Sequence, residues 1–225
     1  MSMNFAADTG ASDGHRQRMD SMYRVQRHFY DVTRAYYLLG RNERISALNP
    51  PAAGSVLEIG CGTGRNLIEI ARRHADCMVY GLDISDEMLV SAAKATARAG
   101  LRHRVCLAQG DAATFDGKAF AKPHYDRVLF SYTLSMIPAW QDSLQTAAAR
   151  LAPGGELHVV DFGPCTGLPL LAKNSLYAWL RQFHVTPRGQ LFATVERIAR
   201  AGRLTMETAY THRGYAQHAV LRMAL

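Results

Sequence analysis

The sequence predicts an α/β fold built on a doubly wound, mostly parallel sheet. Three observations carry that expectation. From Ser55 onward, short apolar runs of strand character alternate with stretches of helical periodicity, the pattern of successive βαβ units. The first run ends in a glycine-rich turn, Gly60-Cys61-Gly62-Thr63-Gly64, at the place where an open sheet of this kind binds ligands. The last two β-rich stretches are separated by His212-Arg213-Gly214, a spacing that lets them pair as a hairpin.

Each element has a local cause. Residues 1–14 are small and polar and read as disordered. Residues 16–40 hold no internal Gly or Pro and read as one long helix ending at Gly40. Asn49-Pro50-Pro51 then breaks the chain. Ser55–Ile59, Met78–Asp83, Arg104–Gln109, Asp126–Ser131 and Glu156–Asp161 read as strands. Arg65–His74, Asp86–Ala99 and Trp140–Leu151 read as the helices between them, the second closed by Gly100 and the third by Pro153-Gly154-Gly155. Leu168–His184 reads as an amphipathic helix and Gln190–Ala201 as another, before the strands Arg203–Tyr210 and Gly214–Arg222. The expected organisation is a helical lid over residues 15–49, followed by one domain over residues 50–225.

Composition excludes several classes. The chain has 225 residues, 48% hydrophobic and 20% charged, which suits one sizeable core and not a disordered polymer. No apolar run approaches the roughly 20 residues of a spanning helix, and no signal peptide is visible. Cys61, Cys77, Cys106 and Cys165 are scattered without a C-x-x-C pair, so neither a metal site nor a disulfide framework is expected, and a reducing cytoplasm is the expected compartment. The net charge of +7 sits on the flanks: residues 14–44 hold seven basic and three acidic residues, and residues 173–225 hold eight and two, whereas residues 45–172 are near neutrality. Such flanks suit an anionic membrane surface, a phosphate-bearing substrate or nucleic acid, and also serve simple solubility.

The strand ends carry the chemistry. A dinucleotide loop, G-x-G-x-x-G, would need glycine at position 65, where Arg65 stands; here the third glycine is Gly64. Glu58 lies just before the loop, a poor neighbour for a pyrophosphate and a good one for a cationic amine and sulfonium. Asp83 ends the second strand, 23 positions after Gly60, where an acid can take both hydroxyls of a ribose. Asp111 ends the third strand, placed to accept from an adenine amino group. Either aspartate alone serves equally as a helix cap or turn residue; three such features at three successive strand ends are not explained that way.

These residues resemble motifs I, II and III of the class I S-adenosylmethionine-dependent methyltransferases, over about residues 50–165. The resemblance implies a seven-stranded sheet with its last strand inserted antiparallel, S-adenosylmethionine as cofactor with S-adenosylhomocysteine as product, and no metal. It implies that Gly60, Gly62 and Gly64 line the methionyl part, with Glu58, Cys61 and Asn66 also among the cofactor-binding residues. Asp83 would hold the ribose, Asp111 the adenine, with Ile84, Met88 and Ala112 about the ring, and Ser131 beside the methyl donor.

The acceptor has to be sought in the flanks. Tyr23, Arg27, Tyr30, Arg34 and Tyr37 share one helical face. Burying so many phenols and guanidiniums without partners is costly, so the face reads as a lid over the cofactor, the alternative being a solvated face with arginine stems over the rings. Leu168–His184 carries Leu168, Leu171, Leu176, Trp179, Leu180 and Phe183 on one face with Lys173, Arg181 and Arg188 nearby. Core packing explains this, and so does a helix lying on anionic lipid. The segment Met22–Arg41, together with Phe183–Arg188 and Arg213-Gly214-Tyr215, closely resembles the diacylglyceryl homoserine N-methyltransferase family of bacterial betaine-lipid synthesis. That resemblance implies stepwise trimethylation of a lipid amine, peripheral membrane contact, no nucleic-acid partner, and association with an enzyme that makes the homoserine lipid. Tyr30, Tyr132 and Asp161 are then the candidates to accept a proton. Tyr23, Arg27, His28, Arg34, Tyr37, His184, Arg188, Arg213 and Tyr215 are candidates to hold the acceptor. The rivals are a phosphatidylethanolamine or ornithine-lipid N-methyltransferase, and a non-catalytic S-adenosylmethionine-binding module.

Overall fold

A computed structural model describes residues 38–225. Helix α1 (Arg41–Ser46) precedes β1 (Ser55–Ile59), α2 (Arg65–Arg73), β2 (Met78–Asp83), α3 (Asp86–Arg98), β3 (Val105–Gln109), β4 (Tyr125–Ser131), α4 (Trp140–Ala148), β5 (Leu151–Phe162), α5 (Leu170–Gln182), α6 (Leu191–Gly202), β6 (Thr205–Thr211) and β7 (Ala216–Arg222). One seven-stranded sheet results, in the order β3-β2-β1-β4-β5-β7-β6. β1 pairs in parallel with β2 and β4, β2 with β3, and β4 with β5. β7 runs antiparallel between β5 and β6, as the terminal hairpin predicts. The chain reverses its strand order beside β1, which makes the crevice beyond the carboxyl ends of β1 and β4 the topological switch point.

The alternation of side chains along buried strands separates two layers of core. From β1, Leu57 and Ile59 pack with Val128 and Phe130 of β4, Leu144 of α4 and Leu191 and Val195 of α6. Val56 faces the opposite side, with Leu67 and Ile70 of α2, Val79 of β2 and Leu129 of β4. The helices present matching stripes: Leu67, Ile70 and Ala71 in α2, and Met88, Ala92 and Thr96 in α3, recur at helical spacing. Ser85 caps α3 by accepting from the Met88 N–H at 3.4 Å, with Asp86 and Glu87 in its first turn and Arg98 in its last, each favourable to the helix dipole.

Three departures from the sequence expectations have local causes. Gly40, expected to end a helix, opens one: it adopts φ +80° as the cap of α1, and Ile45 and Leu48 from the expected lid pack into the core with Val56 and Leu67. β5 is twelve residues long, because it starts at Leu151 and runs through Pro153-Gly154-Gly155, expected to separate helix from strand; Gly154 bends it at φ +71°, and the pairing with β4 shifts register between Tyr125 and Arg127. α5 buries only Leu180 fully and leaves Leu170 71% and Leu171 82% exposed at its start.

Leu57 contributes a fully buried side chain from the central strand. Leu57→Ala should lower unfolding free energy by about 2–5 kcal/mol, read as a lower urea midpoint with an unchanged slope.

Candidate active site

The site is built where three strands end. β1 runs into the glycine loop, whose backbone is drawn across β2: the N–H groups of Gly60 and Cys61 donate to the Leu82 carbonyl at 2.8 and 3.1 Å. Gly60 stands at φ +74°, and a Cβ there would meet Thr133 Cγ2 at 2.1 Å. The turn therefore requires glycine for conformation and for space. Gly64, at φ +80°, caps α2 and packs at contact distance on Ala92 of α3.

The acids sit around this loop. Glu58 is 2% exposed, and its Oε1 accepts from Asn66 Nδ2 at 2.6 Å. Asp83 joins the first two strand ends, its Oδ2 accepting from the Gly62 N–H at 2.7 Å and its Oδ1 from the Ser85 N–H at 3.0 Å. Asp111 shapes the turn after β3 by accepting from the Ala113 N–H at 2.8 Å. Ile84 is half-buried, and its carbonyl accepts from Gln109 Nε2 at 3.2 Å. Met88 and Ala112 are buried. Cys61 is buried as well, and burial pushes its thiol well above the usual range, as do the Asp83 and Glu58 carboxylates to a lesser extent.

A cavity opens against the loop. Glu58, Gly60, Cys61, Asn66 and Ser131 line it, and so do Leu38, Arg41, Thr63 and Arg65. Ser131 is 6% exposed, and its Oγ has no hydrogen-bond partner among the described residues. Arg41 is the cavity residue that sequence reasoning missed. It is 7% exposed, donates to Asn42 Oδ1 at 3.1 Å, and shares the cavity with Glu58. The available signal was Gly40, which starts a new helix one residue earlier.

The proton-accepting candidates are placed less favourably. Tyr132, at φ +55°, is buried, and its hydroxyl donates to the Leu39 carbonyl. Burial raises its phenol pKa far above the usual range, which opposes loss of the proton, so Tyr132 acts as a clasp and not as a base. Asp161 is fully buried. Its Oδ1 accepts from the Phe162 N–H at 2.7 Å and its Oδ2 from the Ser135 N–H at 3.0 Å. Burial pushes it up to about 6 against these hydrogen bonds. A carboxylate held on both oxygens by backbone fastens the turn after β4 to β5, and it does not line the cavity.

The acceptor candidates divide. Tyr215 is buried with its ring centroid 5.8 Å from that of Phe162, in the cluster that holds Tyr132 and Leu180. Arg188 donates to the carbonyls of Leu134 at 3.0 Å and Ile137 at 2.8 Å and lies over the Trp140 ring, so its guanidinium is committed to the turn after β4 and not to an acceptor. His184 and Arg213 are exposed, at φ +54° and +60°. Tyr23, Arg27, His28, Tyr30, Arg34 and Tyr37 lie outside the described residues. Among the described residues no group of three or more His, Cys, Asp or Glu side chains could hold a metal ion, and no helix is long and apolar enough to cross a membrane.

The strand order and the loop set define a class I methyltransferase fold. Residues 56–155 match the family model described as a methyltransferase domain. Among curated relatives, the ubiquinone/menaquinone biosynthesis C-methyltransferase of Desulfotalea psychrophila is 27% identical over 68% of this chain and 58% of its own length. The trans-aconitate 2-methyltransferase of Streptomyces avermitilis is 34% identical over 48% and 39%, and the phosphatidylethanolamine N-methyltransferase of Cereibacter sphaeroides 33% identical over 48% and 50%. The chain thus spans about half the length of the curated relatives it matches. Of solved structures, an O-methyltransferase family 2 protein from Planctomyces limnophilus in complex with apigenin superposes with a TM-score of 0.65 at 19% identity, covering 97% of this chain and 67% of that one. The YcgJ protein of Bacillus subtilis superposes at 0.63 and 13%, covering 83% and 98%. At these identities the likeness is one of fold.

S-Adenosylmethionine is the group such a domain implies, and the donor set fits it. An acid and a guanidinium share the cavity for an amino-acid zwitterion, and Ser131 Oγ offers an unused hydroxyl. Asp161→Asn would put an amide donor against one of two N–H groups. It should cost about 1–3 kcal/mol in urea denaturation while leaving cofactor affinity within about threefold of wild type by calorimetry.

Proposed function

We propose that this chain is an S-adenosylmethionine-dependent N-methyltransferase whose acceptor is a lipid amine, and that diacylglyceryl homoserine, methylated three times to a betaine lipid, is that acceptor. The observation that carries the cofactor half is the buried pair Glu58 and Arg41 on one cavity wall, an acid for the ammonium and a guanidinium for the carboxylate of the methionyl group. S-Adenosylmethionine, when bound, supplies an electrophilic methyl group on a sulfonium. The chain holds and orients it: Asn66 fixes Glu58, the glycine loop brings backbone close, and Asp83 ends β2 beside that loop.

The acceptor half rests on the surroundings of the site. Beyond β4 and β5, Tyr132, Phe162 and Tyr215 pack with Tyr177, Trp179 and Phe183 in an aromatic cluster that anchors the α5 region beside the site. Leu170 and Leu171 stand exposed on α5 with Lys173 on the same helix, an arrangement suited to peripheral contact with an anionic lipid surface. A headgroup amine must be neutral to attack. Tyr30 and Arg34 remain the proposed groups for its proton and for the homoserine carboxylate. Phosphatidylethanolamine is the second acceptor to be weighed, favoured by the relative of that name in Cereibacter sphaeroides. An enzyme that builds the homoserine lipid would be the natural supplier of substrate.

Two measurements test these halves separately. Arg41→Ala should weaken S-adenosylhomocysteine binding by about 10- to 100-fold, the worth of a hydrogen-bonded charge, with the fold intact by circular dichroism; unchanged affinity removes Arg41 from the site. Methyl-labelled S-adenosylmethionine, incubated with lipid extracts made with and without diacylglyceryl homoserine, should mark lipid only in the first. Label in phosphatidylethanolamine selects the second acceptor, and binding without transfer to any lipid or amine selects a non-catalytic role.

A further inference from the structure

A second cluster of titratable groups lies behind the cavity, where α1 crosses the sheet. His158 of β5 and His218 of β7 are both buried. Arg44 Nη1 approaches His158 Nδ1 at 3.5 Å, and His158 Nε2 meets Glu156 Oε2 at 2.8 Å. Glu156 in turn binds Arg222 Nε at 2.9 Å through Oε1, with Arg127 Nε 3.6 Å from its Oε2. His218 Nε2 lies 2.7 Å from Thr211 Oγ1, while its Nδ1 is buried with no partner among the described residues. The His218 ring also fills the space beside Gly40, where a Cβ would come within 2.7 Å of Cε1. Glu43 of α1 faces His212 at 3.8 Å. The segment from Leu39 to Arg44 is thus fastened at the Tyr132 hydroxyl, the His218 ring and the His158 ring, and Arg41 projects from it into the cavity.

We propose that Arg44, His158 and His218 are positioning residues for the cofactor site, forming a proton-sensitive latch that docks α1 on the sheet and thereby presents Arg41 beside Glu58. The role given to Arg41 rests on the cofactor reading above; the docking of α1 does not. The geometry demands neutral rings. Arg44 has only donors, so His158 Nδ1 must offer its lone pair, leaving the Nε2 proton for Glu156. A proton on Nδ1 would face the guanidinium, and a proton on His218 Nδ1 would be an unpaired buried charge. Among the described residues, charged groups of both signs face the two rings. For His158 these are Arg44, Glu156 and Arg127; for His218 they are Arg44, Glu43 and His212. Burial is the largest cause lowering both imidazoles, and it outweighs Glu156 at His158 even though that carboxylate is within ion-pair distance. His218 is brought down to about 4. The sign follows from linkage. The undocked segment leaves rings of ordinary affinity, near pH 6.5, which take protons first as pH falls. Docking is therefore fully stable above about pH 6.5 and weakens as pH drops below it, levelling near the lowered folded-state value.

Amide hydrogen exchange on the full chain, corrected for intrinsic rates, should show protection of residues 44–47 falling at least tenfold between pH 7.5 and 5.5, while β1 and β4 keep theirs. S-Adenosylhomocysteine affinity by calorimetry should fall at least fivefold over the same range. Arg44→Gln keeps a donor without the charge and should reduce the pH dependence of both, burial of the rings remaining. Protection of α1 that does not change with pH, a loss shared by β1 and β4, or an undiminished pH effect in Arg44→Gln overturns the latch. If protection falls as expected but S-adenosylhomocysteine binds at no pH, the cofactor reading fails and the positioning role fails with it, while the docking chemistry stands.

Discussion

One carboxylate holds the cofactor side of this fold together. Asp83 ends β2, yet its two oxygens accept from the Gly62 N–H of the loop after β1 and from the Ser85 N–H that opens α3. Buried backbone donors at a glycine turn would otherwise go unpaired, because three glycines supply no side chain to satisfy them. By taking both, Asp83 fixes the height of the loop above the sheet. It also explains why the loop can afford left-handed geometry at Gly60, Gly62 and Gly64 without losing its shape. The Leu82 carbonyl, which receives the Gly60 and Cys61 N–H groups, completes the same bridge one residue earlier.

The acceptor side is fastened by a different logic, with charged groups spent on backbone instead of on ligand. Asp161 takes the Ser135 N–H, and Arg188 donates to the Leu134 and Ile137 carbonyls, so an acid and a base from distant segments hold opposite polar groups of one short turn. Tyr132 does the same for the carbonyl of Leu39. Chemistry-bearing side chains near a site are thus as often its carpentry as its reagents. The distinction is set by partners: a side chain whose polar atoms are already held by backbone groups is not offered to a ligand, whatever its proton affinity.

The two sides meet at α1. Its six residues face three ways at once. Ile45 points into the core, Arg44 to His158, and Arg41 into the cavity with Glu58. A short helix has little intrinsic stability, so its position depends on these tertiary contacts. The sheet's antiparallel end, β7, supplies one of them through His218, which ties the terminal hairpin to the cofactor cavity although the two are remote in sequence.

The sequence by itself determined the sheet, the loop and the acids around it. Strand periodicity, the G-x-G-x-G spacing and the positions of Glu58, Asp83 and Asp111 are local patterns, and local patterns survive without knowledge of what packs on them. The terminal hairpin was legible for the same reason, from a short polar turn between two β-rich runs. Only the tertiary structure decided which polar residues face the cavity. Arg41 and Arg188 are indistinguishable as arginines on a flank, yet one lines the cavity and the other braces a turn. Tyr132 follows the end of β4 and Asp161 is the last residue but one of β5, where a ligand group is expected, and burial turned both to structural use. The bend of β5 at Gly154 escaped for a related reason, since a glycine pair reads as a stop until a neighbouring strand is there to pair through it. Pattern fixes the element a residue belongs to; what its side chain touches is settled by partners distant in sequence, and no local signal carries that.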